Sequence, residues 1–149
     1  MANLFPVFEV PETKLNTIAE EQKYRRSVFF DFNKGDFVRN GTNNIVEASG
    51  KEAYMQWCQK VVMTERLTKL SYSHKIGIET DTLWNLTDKK AIESTLETTI
   101  TDALMVNNKT DYVRDFKFVW DNDNVISVSF IVKGKEWEEF SVKIGELAG

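Results

Sequence analysis

The chain has 149 residues, 42% of them hydrophobic and 12% aromatic, with only two prolines. That is about one domain's worth of sequence with material for a real core, which excludes an intrinsically disordered or collagen-like chain. Nineteen basic and 23 acidic residues are mixed along it for a net charge of −4, so nucleic acid is not an expected partner. The single cysteine, Cys58, and the single histidine, His74, allow neither an internal disulfide nor a Cys/His zinc site. No metal or other cofactor is expected. No apolar run approaches the ~20 residues that cross a bilayer, and the N-terminus lacks the basic start and apolar stretch of a signal peptide. The expectation is a soluble chain made in a reducing cytoplasm, without membrane contact.

Residues 1–24 differ from the rest and read as an extended N-terminal arm, with a single domain over 25–149. Leu4, Phe5, Val7, Phe8 and Val10 form an apolar cluster cut by Pro6 and Pro11, which disfavour helix at and before themselves. Such an arm either packs back on its own domain or docks on a partner through Phe5 and Phe8. Ser27–Phe32 is β-rich, Asn33-Lys34-Gly35-Asp36 turns the chain, and Phe37–Arg39 meets the tight-turn pair Asn40-Gly41. With Ile45-Val46 these segments predict a small antiparallel meander.

Ser49 and Glu52 have the spacing of a capping box, and Tyr54, Trp57, Cys58, Val61, Val62 and Glu65 then recur at steps of three and four. This predicts a helix with one buried face, Cys58 within it as a small core residue. The stretch from Leu70 to Glu79 alternates only partly and reads as loop or irregular strand, with His74 exposed. A second helix should start at Thr87 or Asp88 and run to about Val106, burying Ile92, Leu96, Ile100, Ala103 and Leu104 and closing on Asn107-Asn108 in left-handed geometry. The last third alternates with period two: Phe116, Phe118 and Trp120; then Ile126, Val128, Phe130 and Val132; then Phe140, Val142 and Ile144. The fold class expected is α+β, an antiparallel (mixed) sheet with two main helices packed on its apolar face.

Catalytic patterns are thin. No glycine-rich phosphate cradle and no G-x-S-x-G elbow occurs. A glycosidase needs two carboxylates ~5–10 Å apart beside a sugar cleft, and Glu65, placed at the helix end next to Arg66, is the acid to test. The alternative for Glu65 and Arg66 is a structural role fixing the connection after the helix. Trp57, Trp84, Trp120 and Trp137 suit either a carbohydrate cleft or the core.

Three motifs in order add a resemblance. Asp31-Phe32-Asn33-Lys34-Gly35-Asp36-Phe37 resembles a D-F-x-x-G-D-F hairpin of baseplate proteins from contractile phage tails. Gly50-Lys51-Glu52-Ala53 with Gln56-Trp57 and Lys60 is similar to that family's G-x-E-A and Q-W-x-x-K helix. Thr64-Glu65-Arg66, followed by Tyr72-Ser73 and Gly77, resembles its T-E-R and Y-S-x-x-x-G segment. The resemblance covers residues 29–145 and points to the tail sheath initiators, in a baseplate wedge branch with some members labelled lysozyme-like. The wider group has a Glu-Pro-Arg motif associated with docking to the wedge; here the chain reads Asp111-Tyr112-Val113-Arg114, so Arg114 matches the arginine while the Glu-Pro pair is missing.

What the resemblance implies is a non-enzymatic structural subunit, six-fold repeated in the baseplate of an infectious phage, a prophage or a tail-like bacteriocin, assembled in the bacterial cytoplasm. Its implied partners are the tail sheath protein, baseplate J-like wedge proteins and the tail tube or hub. It would join wedge to hub and template the first sheath ring by β-augmentation. The strand edge is expected in 125–132 or 136–144, including Val142 and Ile144, with Arg114, Glu65 and Arg66 as positioning or docking residues. Two other classes remain open: a peptidoglycan hydrolase using Glu65, and a regulatory adaptor for a host protein.

Overall fold

The computed structural model describes residues 24–68, 70–122 and 124–148. The expected meander forms from fragments. β1 (Ser27–Val28) pairs with β4 (Glu47–Ala48), and β2 (Phe30–Asp31) pairs with β3 (Asp36–Phe37), both antiparallel. Phe29 joins the two pairs, since its amide donates to the Val46 carbonyl and its carbonyl accepts from Val38. The turn between β2 and β3 has a clear cause. Asp31 Oδ1 accepts from the amides of Asn33 and Lys34, and Gly35 supplies a φ of 70° that side-chain-bearing residues rarely adopt.

Helix α1 (Lys51–Val62) buries Ala53, Tyr54, Cys58, Val61 and Val62. Its start corrects the expected capping box. Gly50, not Ser49, is the N-cap, at φ 58° and ψ −127°, and no side chain bonds the first turn. A glycine-only backbone angle therefore sets the entry angle of the chain, which moves Ser49 out of capping position. The helix also stops at Val62, so Glu65 lies beyond it rather than at its end.

Helix α2 (Lys89–Met105) starts where expected, with the Asp88 carboxylate accepting from the Lys90 amide. Its close differs from the expectation. Neither Asn107 nor Asn108 has positive φ; instead the Asn107 side chain accepts from the Lys109 amide and donates to the Tyr24 hydroxyl.

The remainder is one antiparallel sheet in the order β5-β6-β7, from Thr110–Asn122, Val125–Gly134 and Phe140–Ala148. On β6 the residues Ile126, Val128, Phe130 and Val132 are buried, while the residues between them are half-exposed. This strict alternation puts one sheet face against the helices and turns the other to solvent. α2 lies against β5 and α1 against β7. The α+β class, the antiparallel sheet and the two covering helices are all present.

Tyr54 locks the layers together. It is wholly buried, stacks on Trp137 at 5.0 Å and Trp57 at 6.1 Å, and meets Phe140 edge-on. Thr110 Oγ donates to the Leu104 carbonyl at 2.8 Å, which uses its only proton. Tyr54 must then be the donor across its 2.6 Å contact with Thr110. Tyr54→Phe should cost about 1 kcal/mol, because Thr110 keeps its bond to Leu104. Thr110→Val should cost more, about 2–3 kcal/mol, by leaving both a buried phenol and a buried carbonyl unpaired. Urea unfolding of the two variants measures the order.

Candidate functional site

The sheet has two edges, and they are not equivalent. β5 is interrupted three times: register shifts fall between Thr110 and Tyr112, between Arg114 and Lys117, and between Trp120 and Asn122. Asp115, in the second shift, sits at φ 56°. Bulges of this kind break the regular spacing of backbone donors and acceptors that another strand would need. β7 pairs without a shift from Phe140 through Ile144, opposite Val132 through Val128. Its irregularity comes only later, between the partners of Ile126 and Val128. Among the described residues no chain pairs with the outer side of β7.

A groove of about 470 Å³ runs beside this edge. Phe140, Ser141, Val142, Lys143 and Gly145 form one wall, and Met55 and Gln59 of α1, with Asn33 from the turn between β2 and β3, form the other. A larger cleft of about 1000 Å³ lies between the meander and α1, walled by Phe30, Phe32, Phe37 and Trp57. Ser27 and Val28 of β1 also line it, but that strand is only two residues long.

The structure sorts the residues expected to act. Residues 125–132 drop out as an acceptor edge, because β6 is the central strand and is paired on both sides. Val142 and Ile144 lie on the edge strand but face the core, 5% and 2% exposed. Ser141 and Lys143 alternate with them and face outward. Phe5 and Phe8, with the whole arm up to Lys23, lie outside the described residues.

Arg114 stands on the outer face of β5 and reaches Glu139, just before β7, with bonds of 2.7 and 2.9 Å to the two carboxylate oxygens. The Tyr112 hydroxyl donates to the same carboxylate, and the Arg114 guanidinium lies 5.4 Å from the Tyr112 ring. Those two donors, the phenol first and the guanidinium second, hold the Glu139 carboxyl below its ordinary value. The same contact raises Tyr112. The carboxylate resisted any sequence reading, since nothing in the spacing of 114 and 139 says that two strands bring them together.

Glu65 and Arg66 do not pair with each other. Both Glu65 carboxylate oxygens accept from Thr80, one from its amide at 2.9 Å and one from its hydroxyl. Arg66 donates to the Gly77 carbonyl at 3.1 Å and pairs with Glu79 at 3.1 Å. Backbone bonds from Arg66 to Ile78 and from Ile78 to Thr64 complete a clasp that closes the loop between them. Gly77 is required there: its φ is 102°, and a Cβ would lie 2.6 Å from the Thr64 carbonyl oxygen. Glu65 lines neither groove described above.

Of the four tryptophans, Trp57 alone lines either of the two grooves described above. Trp57, Trp84, Trp120 and Trp137 all pack against the core, and the Trp120 indole N–H donates to Glu93 at 2.8 Å. Cys58 is fully buried, and burial pushes its thiol up to about 12, far from a nucleophile's range. His74 is exposed. Among the described residues no cluster of His, Cys, Asp or Glu is placed to hold a metal ion.

Fold and site together define a two-layer α+β domain with one regular strand edge free of partners among the described residues. The chain belongs to the contractile injection system sheath initiator family, whose family model matches residues 26–136. No curated protein matches the sequence. Membership gives it a structural part in the sheath of a contractile injection system, located at the tail or baseplate among sheath and baseplate components.

Two measurements check this geometry. Glu139 should titrate below the usual carboxylate range by NMR, and either Tyr112→Phe or Arg114→Ala should move its midpoint up. The stability it contributes is then present above the unfolded-state value and lost as pH falls through the depressed one. Gly77→Ala should destabilise the chain by about 2 kcal/mol or more in thermal or urea unfolding, through positive φ and the clash at Thr64.

Proposed function

We propose that this chain starts the sheath by lending the outer edge of β7 to a strand from the first ring of sheath subunits. The observation that carries the reading is the unbulged run Phe140–Ile144 with a groove open beside it. Each sheath ring that grows by strand exchange needs an acceptor sheet beneath it, and the first ring has no ring below. β-augmentation meets that need, with backbone hydrogen bonds supplying affinity and alternate side chains supplying selectivity.

In this reading β5 faces the baseplate. Arg114, held by Glu139 and Tyr112 on the outer face, is the docking residue toward J-like wedge proteins. Phe5 and Phe8 add a second contact, to the wedge or the tube hub, and six copies follow the baseplate's symmetry. Glu65 and Arg66 act by holding the connection after α1, which positions the groove wall formed by Met55 and Gln59. The particle is a phage tail or a tail-like relative, assembled in the bacterial cytoplasm.

The test uses the full chain with its sheath protein. Assembly of a sheath ring should slow amide exchange at residues 140–144 while leaving β5 unchanged. Arg114→Ala should stay folded and still accept sheath, yet enter baseplates less efficiently. Sheath assembly with no slowing along β7 would remove the acceptor assignment.

A further inference from the structure

The solvent-facing side of the sheet carries a charge pattern that an open edge alone does not require. Since Ile126, Val128, Phe130 and Val132 point into the core, Ser127, Ser129, Ile131 and Lys133 point out. Their register partners extend that face. Lys117 and Lys143 stand on either side of Ser129, and Arg114 and Ser141 on either side of Ile131. Two strand spacings separate Lys117 from Lys143, about 10 Å between Cα atoms.

Most charges near this row are already committed. Glu139 is taken by Tyr112 and Arg114, and Asp115 lies 3.5 Å from Arg114. Lys133 donates to the carbonyls of Gly134 and Trp137. Lys117 and Lys143 have no acidic partner among the described residues, and both are exposed. In a chain of net charge −4, this pair of lysines on one face is thus without a carboxylate among the described residues, and one of them belongs to the edge strand itself.

We propose that the strand received by β7 is acidic on its outward side and apolar on its inward side. It places a carboxylate beside Lys143 and lowers an aliphatic or aromatic side chain into the groove against Met55. The inference rests on β7 being the acceptor and specifies the chemistry of what it accepts. A strand laid along Phe140–Ile144 must alternate in phase with it, so its inward residues meet Met55 and Gln59 while its outward residues flank Ser141 and Lys143. Backbone bonding alone cannot choose among strands, because every strand offers the same amides and carbonyls. The lysine also opposes the commonest wrong partner: two β7 edges brought together would set two copies of Lys143 on one face, which like-charge repulsion disfavours.

The test needs no sheath protein. Two blocked peptides, one alternating valine with glutamate and one alternating valine with lysine, are titrated into the full chain at low salt. Affinity and amide exchange along β7 are followed together. The glutamate peptide should slow exchange at residues 140–144 and bind about two- to fivefold more tightly than the lysine peptide, the size of a favourable cross-strand charge pair. Lys143→Glu, an exposed change that leaves the core intact, should reverse the order, and high salt should narrow it. Met55→Ala should weaken both peptides alike.

Equal slowing by both peptides would overturn the charge rule while leaving β7 as an acceptor. So would a glutamate preference that survives Lys143→Glu. If neither peptide slows β7, the rule also falls, and the sheath-ring exchange measurement decides separately whether the acceptor assignment falls with it.

Discussion

Tyr54 donates its hydroxyl proton to Thr110, and Thr110 passes its own to the Leu104 carbonyl, so one buried relay ties α1 to β5 and to the end of α2. The phenol ring stacks on Trp57 and Trp137 and meets Phe140, the first residue of β7, edge-on. Helices could otherwise slide over a flat apolar sheet at little cost, because hydrophobic contact is non-directional. Directional bonds at fixed positions remove that freedom. The spacing between α1 and β7, and hence the groove at the sheet edge, depends on this anchor.

Once α1 is fixed, the difference between the two sheet edges follows from local irregularity. β5 turns its own backbone aside at Asp115, and the strand bends where Arg114 and Phe116 go to opposite faces. β7 stays regular over five residues and borders a groove rather than a covering element. An open, regular edge is an aggregation hazard unless something guards it. The outward lysine of that strand, Lys143, is exposed and has no acidic partner among the described residues.

The motifs behind the family resemblance are largely makers of shape. Asp31 and Gly35 form a turn, Gly50 sets the entry to α1, and Thr64, Arg66 and Gly77 close a loop in which no Cβ fits at position 77. Glu65, the one residue with a plausible acid–base reading, spends both oxygens on Thr80. A motif of this kind marks a family by the backbone it enforces, whatever surface the fold then presents.

The amino-acid order alone determined the local elements, because period two and period 3.6 are properties of neighbouring residues. The three late strands, α2 with its Asp88 cap and the buried stripe of α1 were all readable, as was Cys58 as a core residue. The motif resemblance also reached the sheath initiator family directly. Capping by Gly50 was misread, since a backbone angle leaves no polarity pattern. Strand order was beyond reach for the same reason that register is: β6 and β7 have equally good alternation, and only pairing in three dimensions makes one central and the other an edge. The meeting of Arg114, Tyr112 and Glu139, the bonds from Glu65 to Thr80 and the row of Lys117, Ser129 and Lys143 all join residues far apart in the chain. Tertiary structure decided them, because long-range contact is set by how the sheet closes over its helices and not by any local sequence preference.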